Sequence, residues 1–158
     1  MFSELNDILI SFGLPVPSSS SDIVKLEGGV SSEVWRLNLE NRPVCVKRSL
    51  RRLNVLANWE CSTRRNLFEY RWIKYSSEII PDQVPKLIGH DAERQVLLME
   101  YLPLDKYFSW RQRLLEGDVS ESVASQVASA MGRVHSQSTR DPSLAGAFFP
   151  TLSFLRRA

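Results

Sequence analysis

Apolar and polar residues recur along this chain with two different periods, and the change of period divides it. Between residues 3 and 12, Leu5, Ile8, Leu9 and Phe12 fall at helical spacing, and Gly13 and Pro15 stop the pattern. That spacing predicts a short amphipathic helix. The run Pro15-Val16-Pro17-Ser18-Ser19-Ser20-Ser21 reads as a linker. From residue 23 the period falls to two. Residues 23–26 are a short apolar run, and Glu27 to Ser32 form a turn. Over residues 34–39, Trp35, Leu37 and Leu39 share one face, while Val34, Arg36 and Asn38 share the other. After a turn at Asn41-Arg42-Pro43, residues 44–47 are a third strand, with Cys45 and Lys47 on one side and Val44 and Val46 on the other.

Helical spacing returns over residues 63–80. Phe68, Trp72, Tyr75 and Ile79 form one stripe, Thr63 is the expected N-cap, and Pro81 ends the element. Strands at 86–88 and 96–101 follow, and Gly89-His90-Asp91 between them reads as part of a turn. Beyond them only helices are expected. Asp105 caps one that carries Tyr107, Trp110 and Leu114 and closes at Gly117. Asp118 and Glu121 start another, with the stripe Val123, Val127, Met131 and Val134. Five strands, one helix inserted after the third, and a helical remainder make an α+β pattern rather than a doubly wound one. The expected organisation is a helix and linker over 1–21, a sheet-bearing domain over 22–103, and a helical segment over 104–158.

Composition narrows the function classes. The chain has 158 residues, 20 Lys and Arg against 18 Asp and Glu, and a formal net charge of +2. That is too balanced for a nucleic-acid footprint without a clustered basic face. No run approaches 18 consecutive apolar residues, so no membrane span or membrane partner is expected. The N-terminus carries Glu4 and Asp7 and lacks the basic start of a secretory signal. Cys45 and Cys61 have no metal-ligand spacing, and two thiols suit a reducing, cytoplasmic setting.

Four local features carry candidate chemistry. Gly28-Gly29-Val30-Ser31-Ser32 lies between two strands, where glycines let backbone N–H groups approach a phosphate and serines add donors. It is neither a Walker A loop nor a Rossmann turn, because a strand follows it rather than a helix. Taken alone it reads as an ordinary hairpin turn. Lys47 ends the third strand and can hold nucleotide phosphates as a point charge. Glu69 borders the apolar stripe of the following helix and calls for a cation, from the sheet or from Arg65 one turn earlier. Leu97 to Pro103 is an apolar strand running into a stop, whose end offers the Glu100 carbonyl and the Leu102 N–H to a flat polar ring. In chain order these features make one half of a kinase ATP site. Nineteen residues separate Gly28 from Lys47, 22 separate Lys47 from Glu69, and 30 separate Glu69 from Met99.

Over residues 23 to about 138 the sequence resembles the aminoglycoside phosphotransferase/choline kinase-like family, kinase-fold enzymes acting on small molecules. The resemblance rests on GGVSSEVWRL, VCVKRSL, RRNLFEYRWI, VPKLIGHD, VLLMEYLP and ASAMGRVHSQS. It implies a kinase-like N-terminal lobe and hinge over 22–103 and the helical start of a C-terminal lobe from 104. It implies that Gly28, Gly29, Ser31 and Ser32 cover the phosphates of ATP, and that Lys47 holds those phosphates and pairs with Glu69. Val34 and Cys45 would touch the adenine face, Met99 would back the pocket, and Glu100 C=O and Leu102 N–H would bond the adenine edge.

The same resemblance places a catalytic Asp in a His-Gly-Asp-like loop, with Asn and Asp ligands for Mg²⁺, after the helix that ends near His135. Residues 105–158 hold none of these, so the expectation is a truncated or split ATP-binding half, inactive alone. The alternative is a non-catalytic module that binds nucleotide, docks a separate C-terminal half or self-associates. The helices after 104 and an apolar tail of Phe148, Phe149, Leu152 and Phe154 would then be exposed or folded on each other. A third possibility is a plain α+β domain. The acceptor pocket belongs to the family's C-terminal lobe, so the residues present do not select among aminoglycoside, choline or other hydroxylated acceptors.

Overall fold

The computed structural model describes residues 2–27, 29–40 and 42–148. The fold is α+β. A helix, α1 (Phe2–Ser11), precedes three strands, β1 (Ile23–Leu26), β2 (Ser32–Asn38) and β3 (Pro43–Ser49). Helix α2 (Arg65–Ile79) follows, then β4 (Leu87–Asp91) and β5 (Val96–Glu100). Among the described residues, helices α3 (Trp110–Leu115), α4 (Glu121–Ser138) and α5 (Ser143–Phe148) come last. The chain divides into two compact units, Met1–Tyr70 with Pro85–Tyr101, and Arg71–Val84 with Leu102–Ala158.

The first unit is built on one antiparallel sheet of order β1-β2-β3-β5-β4. The period of two fixes its faces. Trp35 pairs with Val46, which pairs with Leu98, so one face is apolar across three strands. Helix α1 supplies Leu5, Ile8 and Leu9 to that face, and all three are buried with Trp35, Leu37, Val44, Val46, Val96 and Leu98. Each such side chain removed from water contributes about 1.5–3 kcal/mol. Helix α1 is therefore part of the sheet's own core through these side chains. The serine run after it is ordered too: Ser19 caps a short 3-10 turn, and the Asp22 carboxylate accepts the Ser19 N–H at 3.0 Å.

Two contacts fix how α1 lies. Arg48 donates to the Glu4 carboxylate at 2.7 Å and to Glu33 at 3.0 Å, with its guanidinium 5.4 Å from the Trp35 ring centroid. At the other end of α1, the Phe12 ring fills the space over Gly89, where a Cβ would overlap it. Gly89 stands at a register shift between β4 and β5. Gly89-His90-Asp91 is thus strand, correcting the expected turn. The turn proper is Ala92–Gln95, where the Asp91 carboxylate accepts the N–H groups of Glu93 and Arg94 at 2.9 and 2.8 Å. A carboxylate can hold that turn only from the strand end before it.

Helix α2 corrects a second expectation. Its buried residues are Asn66, Ile73 and Ser76, with Ile80 just after it, whereas Trp72 is 40% exposed and Phe68, Tyr75 and Ile79 are half-buried. Small and amide side chains occupy the inward line, and the bulkier stripe lies beside it. Asn66 is inward because its Oδ1 meets His90 Nε2 at 2.9 Å, while His90 stacks on Tyr70.

In the second unit both helix starts fall later than expected. Ser109 rather than Asp105 caps α3, and Ser120 rather than Asp118 caps α4, each accepting an N–H three residues on. A hydroxyl reaches that N–H as well as a carboxylate does. Gly117 stands at φ +83 just past α3, the left-handed position expected of a closing glycine. Arg133 of α4 donates to the Ile79 carbonyl at 2.7 Å, and Val134 is fully buried. Met131, Leu115 and Val119 are exposed. Of the apolar tail, Phe149, Leu152 and Phe154 lie outside the described residues. Among the described residues no helix is long and apolar enough to cross a membrane.

Candidate functional site

The sheet face opposite α1 carries the chemistry. Val34 pairs with Lys47, which pairs with Leu97, and Arg36 pairs with Cys45, which pairs with Met99. Four of the expected residues, Val34, Cys45, Lys47 and Met99, therefore share one face. Period two requires this once the register is set. Lys47 reaches out of the sheet to Glu69 of α2, with Nζ–Oε1 at 2.5 Å. The pair is part-buried, the side chains being 26% and 32% exposed. A charge-assisted bond between residues 22 apart in sequence fixes both head groups at one edge of this face.

Cys45 sits one pleat from Lys47 on the same side. Burial pushes its thiol up to about 11, and the Glu69 carboxylate adds to that rise while Lys47 opposes it. The thiol is protonated at neutral pH, so Cys45 offers a small apolar surface rather than a nucleophile. Met99 is buried. Glu100 uses its N–H and its carboxylate on the backbone of Lys86, at 2.9 and 2.8 Å. Its carbonyl is the group the adenine edge would use. Leu102 lies in the second unit, one residue beyond Tyr101.

The loop between β1 and β2 is tightly made. A Cβ on Gly29 would lie 2.2 Å from the Ser32 carbonyl oxygen, so only glycine fits. Val30 O accepts from Asn54 N at 2.8 Å, and Ser31 O accepts from Leu50 N at 3.0 Å. Ser31 is half-buried; Ser32 is buried as the first residue of β2, in register with Ser49. Gly28 lies outside the described residues.

Two residues on this side had no role in the sequence reading. Arg36 extends the same face, with its guanidinium 5.5 Å from the Tyr101 ring centroid. Arg65, considered only as a neighbour for Glu69, turns away from it and bonds backbone carbonyls, Ser31 O among them. Strand alternation placed Arg36; no local signal pointed Arg65 at a loop 34 residues away. Among the described residues no group of three or more His, Cys, Asp or Glu side chains stands close enough to hold a metal ion.

No protein-family model matches this chain, and no curated protein matches it.

Proposed function

We propose that this chain is the ATP-binding half of a small-molecule phosphotransferase of the aminoglycoside phosphotransferase-like class. The observation that carries the reading is the Lys47–Glu69 ion pair at 2.5 Å, on a sheet face shared with Val34, Cys45 and Met99. A lysine held by a helix carboxylate keeps its ammonium fixed where phosphate oxygens would take two of its three protons. Cys45, Val34 and Met99 offer apolar surface to a flat ring. The glycine loop, closed to any Cβ at Gly29, brings backbone N–H groups within reach of anionic oxygens.

Transfer itself needs more. Phosphoryl transfer rests on a positioned base and on metal ions that neutralise charge. Residues 105–158 hold no His-Gly-Asp-like triplet. The base and metal ligands would come from other polypeptide. These residues by themselves bind without turning over, and the acceptor stays undefined. The reading places the chain in the cytoplasm, where ATP is available and the free thiols Cys45 and Cys61 stay reduced.

Calorimetric titration with ATP, with and without Mg²⁺, tests it. Wild type binds, and Lys47→Ala binds at least tenfold more weakly. Absence of binding to folded wild type, or equal binding by Lys47→Ala, rejects the reading. Measurable ATP-dependent phosphorylation of an alcohol or amine by the 158 residues would reject their inactivity.

A further inference from the structure

Arg65 occupies a position that helix energetics disfavours. It is the first residue of α2, where the helix dipole repels a cation. Its two terminal guanidinium nitrogens donate to the backbone, while Nε is buried without a partner. Nη1 donates to Ser62 O at 2.8 Å and to Cys61 O at 3.4 Å, and Nη2 donates to both Ser31 O and Leu50 O. Ser31 belongs to the glycine loop and Leu50 follows β3, and the Leu50 N–H itself donates to Ser31 O. One planar fork thus joins the start of α2, the exit of β3 and the loop. No carboxylate forms an ion pair with Arg65 among the described residues, so its charge serves these carbonyls. Glu69, which holds Lys47, lies one helical turn further along the same helix.

We infer that Arg65 is a positioning residue: it clamps the glycine loop to α2, so that the loop N–H groups and the Lys47–Glu69 pair keep one fixed separation. The consequence for ligand rests on the nucleotide reading above. Arg65 acts through Ser31 O and Leu50 O rather than by touching phosphate. The geometry demands a guanidinium, because a lysine ammonium at the same place is a point donor and cannot span carbonyls on three segments.

Two readouts on Arg65→Ala and Arg65→Lys separate the clamp from the ligand. Amide hydrogen exchange is expected to speed up tenfold or more at Leu50, whose N–H Ser31 O accepts, and to stay unchanged at Val46 and Leu98 in the core. Unchanged exchange at Leu50, or an equal rise throughout the sheet, overturns the clamp, whether or not nucleotide binds. In titrations, both variants are expected to lose at least tenfold in ATP affinity while adenosine affinity holds within twofold, since adenosine lacks the phosphates the loop would cover. Equal loss for both ligands, or none for ATP, also overturns it. If wild type binds no ATP, the nucleotide reading falls, and the clamp stands or falls on exchange alone. Should Arg65→Ala fail to fold, Arg65→Lys carries both measurements.

Discussion

The two faces of the one sheet are built to opposite rules from the same three strands. On the α1 side, Trp35, Val44, Val46 and Leu98 meet Leu5, Ile8 and Leu9 and exclude water. On the other side, one residue along, stand Arg36, Cys45 and Lys47, with Glu69 reaching them from α2. Stability is concentrated on the first face. The second keeps charge part-exposed, where an ion pair adds little stability but holds two head groups in place. Its charged head groups are expected to be removable with the fold left standing, whereas the apolar side chains of the first face are not.

The largest effect is expected on the first face. Leu9→Ala leaves a cavity among α1 and the sheet and is expected to cost about 2–5 kcal/mol, read from chemical denaturation. A cost under 1 kcal/mol would mean that α1 is dispensable to the core and would dissolve the contrast. Next comes the seat of Phe12. Gly89→Ala puts a methyl into the Phe12 ring and is expected to cost about 1–3 kcal/mol. In a double-mutant cycle with Phe12→Ala the penalty shrinks, because the obstructing ring is gone. Strict additivity would place the cost elsewhere than in that contact.

On the second face the stability effects are small. Lys47→Met is expected to shift stability by no more than about 1 kcal/mol while ATP binding falls at least tenfold. Unfolding of Lys47→Met would show that both faces carry the fold. Smaller still is the acid response of the α1 side. Burial alone would raise the Glu33 carboxyl, but hydrogen bonds and charge from Lys25 and Arg48 outweigh it and hold it below its ordinary value. A lowered carboxyl stabilises the fold above the ordinary carboxylate range and loses that contribution as pH falls through its folded value. Melting temperature is therefore expected to drop faster below pH 4.5 in wild type than in Glu33→Gln, by a few degrees at most. Parallel profiles would remove Glu33 from the acid response. The finest comparison is between thiols. At pH 8, iodoacetamide is expected to label exposed Cys61 at least tenfold faster than Cys45, whose thiol burial has pushed up to about 11, and ATP is expected to slow Cys45 further.

The sequence by itself determined the strands, their faces and the helix-rich remainder. Alternation over 34–39 and 44–47 is a local property, so it places Trp35 and Lys47 on opposite faces without reference to any partner strand. The helix ends at Gly13 and Gly117 were legible for the same reason, a left-handed φ that glycine alone adopts cheaply. Where several residues could do one local task, the pattern chose wrongly. Serines rather than aspartates cap α3 and α4, and the bulky stripe of α2 lies beside its buried line. The tertiary structure alone decided which way round α2 turns, because only packed neighbours choose between an inward Asn66 and an inward Phe68. It decided that Leu5, Ile8 and Leu9 of α1 belong to the sheet's core, since a helix's apolar face does not state what it covers. It also turned Gly89-His90-Asp91 into strand beneath Phe12, and sent Arg65 to four backbone carbonyls instead of the carboxylate one turn away. Those outcomes depend on contacts between distant segments, and no short-range pattern encodes such contacts.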